Sequence, residues 1–283
     1  MKVSKICFLI FSLTLFSCGA HIKLPPVHLA AIKGNMESLK ASANKENINS
    51  LSDIGWTPLM HASSEGHIEA VKFLIKSGAD VNYVSGGRKI YSNRTALVLA
   101  AAEGNNDIIE LLIENGAKVN LEGAKSPIIY AAEEASLETI KLLENHGLDI
   151  HFKNEYGVTT LIQASGGGNL EVAKYLIEQK VDLEAESEHG EFALGEACLN
   201  DEPEIVKLLI DSGAEVDKFN EAGINSLTYA TIDGNTELVN LLINAGADPH
   251  KRINERPMFL YAFAEENFET ADLLLKHGGP CRR

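Results

Sequence analysis

The stretch Thr57-Pro58-Leu59-Met60-His61-Ala62-Ser63-Ser64-Glu65-Gly66-His67-Ile68-Glu69-Ala70-Val71-Lys72-Phe73-Leu74-Ile75-Lys76-Ser77-Gly78-Ala79-Asp80-Val81-Asn82 decides the fold. Thr57 is a helix-capping residue, and Pro58 follows at the first helical position, where no amide hydrogen is needed. Leu59, Ala62, Ser63 and Gly66 then fall at i, i+3, i+4 and i+7, so they share one buried face. Small side chains on that face let neighbouring helices approach closely. Val71, Leu74 and Ile75 repeat the same period in a second helix, which stops at Gly78, where glycine enters the left-handed region cheaply. Ala79-Asp80-Val81-Asn82 is a short, turn-rich connector.

Working outward, the unit recurs. Ala62, Ala100, Ala131, Ala164, Ala197, Ala230 and Ala262 are followed sixteen residues later by Gly78, Gly116, Gly147, Lys180, Gly213, Gly246 and Gly278. A shorter copy beginning around Pro26, with Ala30 and Gly34, brings the number of helix pairs to eight. Thr57, Thr95, Ser126, Thr159 and Asn225 are equivalent capping positions, a rule that Phe192 and Pro257 break. Ala135, Lys180 and Glu266 stand where other copies carry glycine. The first and eighth copies are expected to act as caps, since an end repeat has one face in water.

The segment from Thr57 to Asn82 resembles the ankyrin repeat, strongly in copies two, three, six and seven and more loosely in four, five and eight. The resemblance implies an all-α, ankyrin-type solenoid of about eight helix-pair repeats with short hairpin connectors, spanning residues 26–279 and followed by a tail at 280–283. It also implies protein binding along the hairpin fingers and the groove.

The chain opens with Lys2 and Lys5 and then runs apolar from Ile6 to Phe16, broken only by Ser12 and Thr14. That is the pattern of an export signal, and it falls short of the ~20 residues a membrane span needs. Leu15-Phe16-Ser17-Cys18 resembles the lipobox of bacterial lipoproteins, with Phe16 an unusual occupant. The resemblance implies cleavage after residue 17, lipidation of Cys18 and a lipidated tether over residues 18–25. An ordinary cleaved signal is the other reading. Gly19 after the cysteine points to the outer membrane, on the periplasmic side, if the cell has two membranes.

Removing residues 1–17 leaves 23 basic residues against 40 acidic ones, a net charge of −17. Such a surface disfavours nucleic acid and attracts basic partner surfaces, although acidity also serves solubility alone. Cys198 reads as a small core residue, and it lies too many repeats from Cys281 for a bridge. Phosphate loops, zinc helices, Cys-x-x-Cys pairs and nucleophile elbows are absent from the sequence, so neither a cofactor nor a metal is expected. Gly166-Gly167-Gly168 ends a first helix and is no phosphate cradle. The histidines, including His28, His67, His146 and His151, read as structural.

The stripe opposite the buried face of the first helices holds His61-Ser64-Glu65, Leu99-Ala102-Glu103, Tyr130-Glu133-Glu134, Gln163-Gly166-Gly167, Glu196-Leu199-Asn200, Tyr229-Ile232-Asp233 and Tyr261-Ala264-Glu265. Tyr130, Glu133, Glu134, Tyr229, Asp233, Tyr261 and Glu265 are the candidate contacts for a protein partner with a basic surface. A plain solvated helical face is the competing reading. A second candidate is the connector between Gly78 and Gly116, which are 38 residues apart against a usual 33 and enclose Arg88, Lys89 and Tyr91. Neutral lengthening explains it equally simply. The expected function is therefore that of a lipid-anchored envelope protein that holds, protects or inhibits a partner. A toxin-neutralising immunity protein is one alternative, and an enzyme using groove carboxylates a more distant one.

Overall fold

A computed structural model describes residues 24–86, 92–123, 125–253 and 256–278. The signal segment, Cys18, the finger residues Arg88, Lys89 and Tyr91, and Cys281 lie outside the described residues. The chain divides between Asp149 and Ile150 into two compact units.

The first unit holds four helix pairs: α1 (Pro26–Ile32) and α2 (Met36–Ser42), α3 (Pro58–Ser64) and α4 (Ile68–Lys76), α5 (Ala96–Ala102) and α6 (Asn106–Glu114), α7 (Pro127–Glu134) and α8 (Leu137–Asn145). The second unit holds α9 (Thr160–Gly167) and α10 (Leu170–Glu178), α11 (Ala193–Leu199) and α12 (Pro203–Asp211), α13 (Ser226–Asp233) and α14 (Thr236–Asn244). A two-stranded hairpin, β1 (Arg252–Ile253) with β2 (Arg256–Pro257), then leads into α15 (Phe259–Ala264) and α16 (Phe268–Gly278). Within each unit every first helix packs on the next first helix, and this layer is denser than the layer of second helices. Leu59, Ala62 and Ser63 in one unit and Leu227, Ala230 and Thr231 in the other are buried in that packing, as the i, i+3, i+4 pattern requires.

The capping residues act as their chemistry predicts. Thr57, Thr95, Thr159 and Asn225 each accept the amide hydrogen three residues on, at 3.0–3.3 Å. Ser126 makes no such side-chain bond, and at Phe192 the ammonium of Lys218 lies 5.7 Å from the ring instead. Lys180 does take the left-handed conformation, at φ 61°, the backbone geometry for which the other copies use glycine. Glu266 does the same, whereas Ala135 leaves α7 in extended conformation at φ −74° and ψ 160°.

One expectation fails. His61, Ser64 and Leu99 belong to the stripe expected to face the groove, yet all three are buried. For His61 the reason is a polar-aromatic cluster: its Nε2 lies 3.2 Å from Ser52 Oγ, with the rings of His28 and Trp56 at 5.6 and 5.3 Å. The eighth repeat has one face in water, and that face is apolar. Leu260, Phe263 and Phe268 are 43, 42 and 62 % exposed.

Candidate partner-binding surface

The first unit presents Tyr130, Glu133 and Glu134 on α7. Tyr130 is half-buried, and its ring is occupied: the Arg94 guanidinium carbon lies 5.3 Å and the Lys125 ammonium 4.9 Å from its centroid. A ring that already holds two cations has less to offer a basic partner. Glu134 is exposed and Glu133 partly so.

The second unit carries the more open surface. Leu199 and Ile232, one repeat apart on α11 and α13, are 45 and 40 % exposed. Adjacent helices at about 8–10 Å place them side by side as an apolar strip. Glu196 and Tyr229 border the strip on one side, three residues before Leu199 and Ile232; Asn200 and Asp233 border it on the other. Tyr261 and Glu265 continue the two borders on α15. Tyr229 is half-buried, while Tyr261 donates its hydroxyl to the Ile253 carbonyl at 2.8 Å. The Tyr261 ring is thus held in place before any partner arrives.

The charge on this surface is unevenly compensated. Lys218 donates to the backbone carbonyl of Glu184 and lies 3.8 and 3.9 Å from the carboxylates of Glu184 and Glu186. Glu191 accepts the Ser187 hydroxyl at 2.8 Å. Glu196 has no ion pair among the described residues, and burial, followed by the charge of Glu191, pushes its carboxyl up to about 7. Burial and the charge of Glu196 in turn raise the Tyr229 hydroxyl. A partly buried carboxylate without a cation, between an aromatic ring and an apolar strip, stands to gain most from a cation brought by a partner. Sequence reading placed Glu196, Leu199 and Ile232 on the stripe without singling them out; the recurrence of an aliphatic residue after 33 positions was the available signal.

Cys198 is buried, and burial pushes its thiol up to about 12, in keeping with a core residue. A depression of about 550 Å³ lies between α12 and α14 and is lined by Lys207, Asp211, Glu237 and Asn244, away from the strip. Among the described residues no helix is long and apolar enough to cross a membrane.

Comparison with known proteins gives the family. The family model for ankyrin repeats in three copies matches residues 6–85, 27–123, 84–154, 128–220 and 194–282. The crystal structure of the human ASB11 ankyrin repeat domain is similar with a TM-score of 0.64 at 25 % identity, covering 79 % of this chain and 99 % of that one. Human ankyrin repeat family A protein 2 is 41 % identical over 64 residues, 22 % of this chain and 20 % of that protein. The human NAD-capped RNA hydrolase NUDT12 is 36 % identical over 64 residues, which cover 14 % of its length. The chain thus matches a fifth or less of these two relatives, and their shared segment brings no activity with it. Ankyrin repeats are a protein-interaction module, typically without enzymatic activity, and this chain belongs to the ankyrin-repeat family.

Proposed function

We propose that the protein is a lipid-anchored binding protein of the cell envelope that holds a partner through the surface of its second unit. The observation that carries the reading is Glu196: a half-buried carboxylate without a cationic partner among the described residues, set beside Tyr229 and the exposed pair Leu199 and Ile232. The partner chemistry that fits is a basic side chain flanked by apolar ones, on a protein rather than on nucleic acid, given 40 acidic residues against 25 basic ones. The anchor rests on Lys2, Lys5, the apolar run and Leu15-Phe16-Ser17-Cys18. From Gly19 to Pro26 the tether reaches at most about 28 Å, which keeps the first repeat near the bilayer.

The test is recovery of bound proteins from an envelope extract on the full chain and on two variants. Glu196→Lys with Ile232→Asp loses the partner, and charge reversals on the exposed second-helix residues Glu204 and Glu237 keep it. Equal recovery by both variants refutes the surface. Separately, mass spectrometry of the native N-terminus shows an acylated Cys18; an unmodified start refutes the anchor.

A further inference from the structure

We infer that the exposed face of the eighth repeat is a self-association surface, on which a second copy of this chain docks face to face about a two-fold axis. Within the second unit, two positions of each first helix are buried wherever another repeat follows. Ile162, Gly195 and Thr228 occupy the first of them, and Ser165, Cys198 and Thr231 the second. Cys198 makes this contact visible, since it is fully buried at the layer of the following repeat, near Ser226. In the eighth repeat the same two positions are Leu260 and Phe263, 43 and 42 % exposed, with Ala262 between them fully buried against the preceding repeat. The exposed face is therefore the repeat-stacking face itself.

Its chemistry is that of an interface. The second position holds small residues in the fifth to seventh repeats, where helices must approach closely, and phenylalanine in the eighth, where it projects. Phe263 sits in an aromatic cluster, with ring centroids 6.2 Å from Phe259 and 6.0 Å from Phe268, the last of these 62 % exposed. Aromatic residues at the centre of a patch with charges at its rim describe a protein interface.

The charges select a second copy as the occupant. At the start of α15 the hairpin presents Arg252 and Arg256, both exposed. At its other end, about 9 Å away along a six-residue helix, Glu265, Glu266 and Glu269 are exposed. A two-fold axis near Phe263 lays the basic end of one copy on the acidic end of the other, so one face is complementary to itself, as an isologous contact demands.

Sedimentation velocity of the full chain across a range of concentrations tests this. The mass is expected to double with concentration, and Phe263→Glu with Phe268→Glu is expected to abolish the doubling while leaving helical circular dichroism unchanged. Charge reversal supplies a control that spares the aromatic core. Arg256→Glu alone and Glu265→Arg with Glu266→Arg alone each stay monomeric, since like charges then meet at both rims. Mixing these two variants restores the twofold mass, because both rims of the mixed pair are again opposite in charge. A wild-type chain that stays monomeric overturns the inference, as does a dimer that survives the glutamate substitutions or a mixture that fails to associate. A monomer that floats with phosphatidylethanolamine–phosphatidylglycerol vesicles through Phe263 and Phe268, and not through Cys18, overturns it in favour of a bilayer.

Discussion

The carboxylate of Glu196 on α11 rests over Gly166 on α9: a β-carbon placed on Gly166 would lie 3.4 Å from Glu196 Oε2 and 3.5 Å from Asn200 Nδ2. Gly166 has helical backbone, so alanine there gains helix propensity, up to about 1 kcal/mol, against contacts of ordinary van der Waals length. Gly166→Ala is expected to stabilise the chain by about 0.5 kcal/mol or more. It also dries the carboxylate, so the Glu196 titration followed by carbon NMR moves further up. A destabilised variant would show that Glu196 needs the space.

Glu196 makes stability depend on pH. Its folded pKa of about 7 lies above the ordinary 4.5, so the folded state binds the proton more tightly than the unfolded chain. The contribution is complete below 4.5 and is lost as pH rises through 7. Glu196→Gln is therefore expected to be more stable than the parent at pH 8, by about 1–2 kcal/mol after screening, and nearly equal to it at pH 4. Urea unfolding at the two pH values measures the difference, and an equal effect at both would refute it.

The buried histidines act in the opposite direction. Burial lowers His28 to about 4 and His61 to about 3, from 6.5. Both are neutral in the fold, so their stability contribution is complete above 6.5 and is lost as pH falls towards those folded values. Trp56, the single tryptophan, has its ring 5.3 Å from that of His61 and reports on the cluster. Its fluorescence is expected to change between pH 6 and 4 before the helical signal of the whole chain falls. Coincident transitions would assign acid sensitivity elsewhere.

Lys180 holds a left-handed backbone at φ 61° without being glycine. Lys180→Gly relieves a conformational cost of about 1 kcal/mol, offset in part by the greater freedom of the unfolded chain, so a gain of a few tenths to 1 kcal/mol is expected. With Gly166 and Gly167 inside α9, the fifth repeat is expected to be the weakest unit of the stack. Native-state hydrogen exchange is expected to show its amides opening first. Uniform protection across the fourth to sixth repeats would contradict this.

The candidate residues of the first unit and those of the second are expected to differ in function. Glu133→Lys with Glu134→Lys changes the charge of α7 beside a tyrosine that already holds Arg94 and Lys125, whereas Glu196→Lys alters a carboxylate with no cation of its own among the described residues. Partner association is expected to slow with rising salt and to weaken far more with the second variant. Equal losses would assign binding to α7 and α11 alike.

The helix pairs, their caps and the ankyrin fold were legible in the sequence, because each depends on neighbours three, four or seven residues away and on a repeat of about 33 residues. The left-handed Lys180 was legible for the same reason, since the second helix must turn at a fixed place. Whether a stripe residue meets solvent depends on what the adjacent connectors lay over it, and periodicity does not encode that. Tyr130 and Tyr261 occupy equivalent helical positions, yet one carries two cations on its ring and the other spends its hydroxyl on Ile253. His61 and Glu196 are equivalent too, and only the packing around them decided that one is a buried structural histidine and the other a half-buried carboxyl with a raised pKa. Local spacing determines which residues can share a face; the desolvation and charge that make a face act come from groups brought together from different repeats, and only the tertiary structure supplies them.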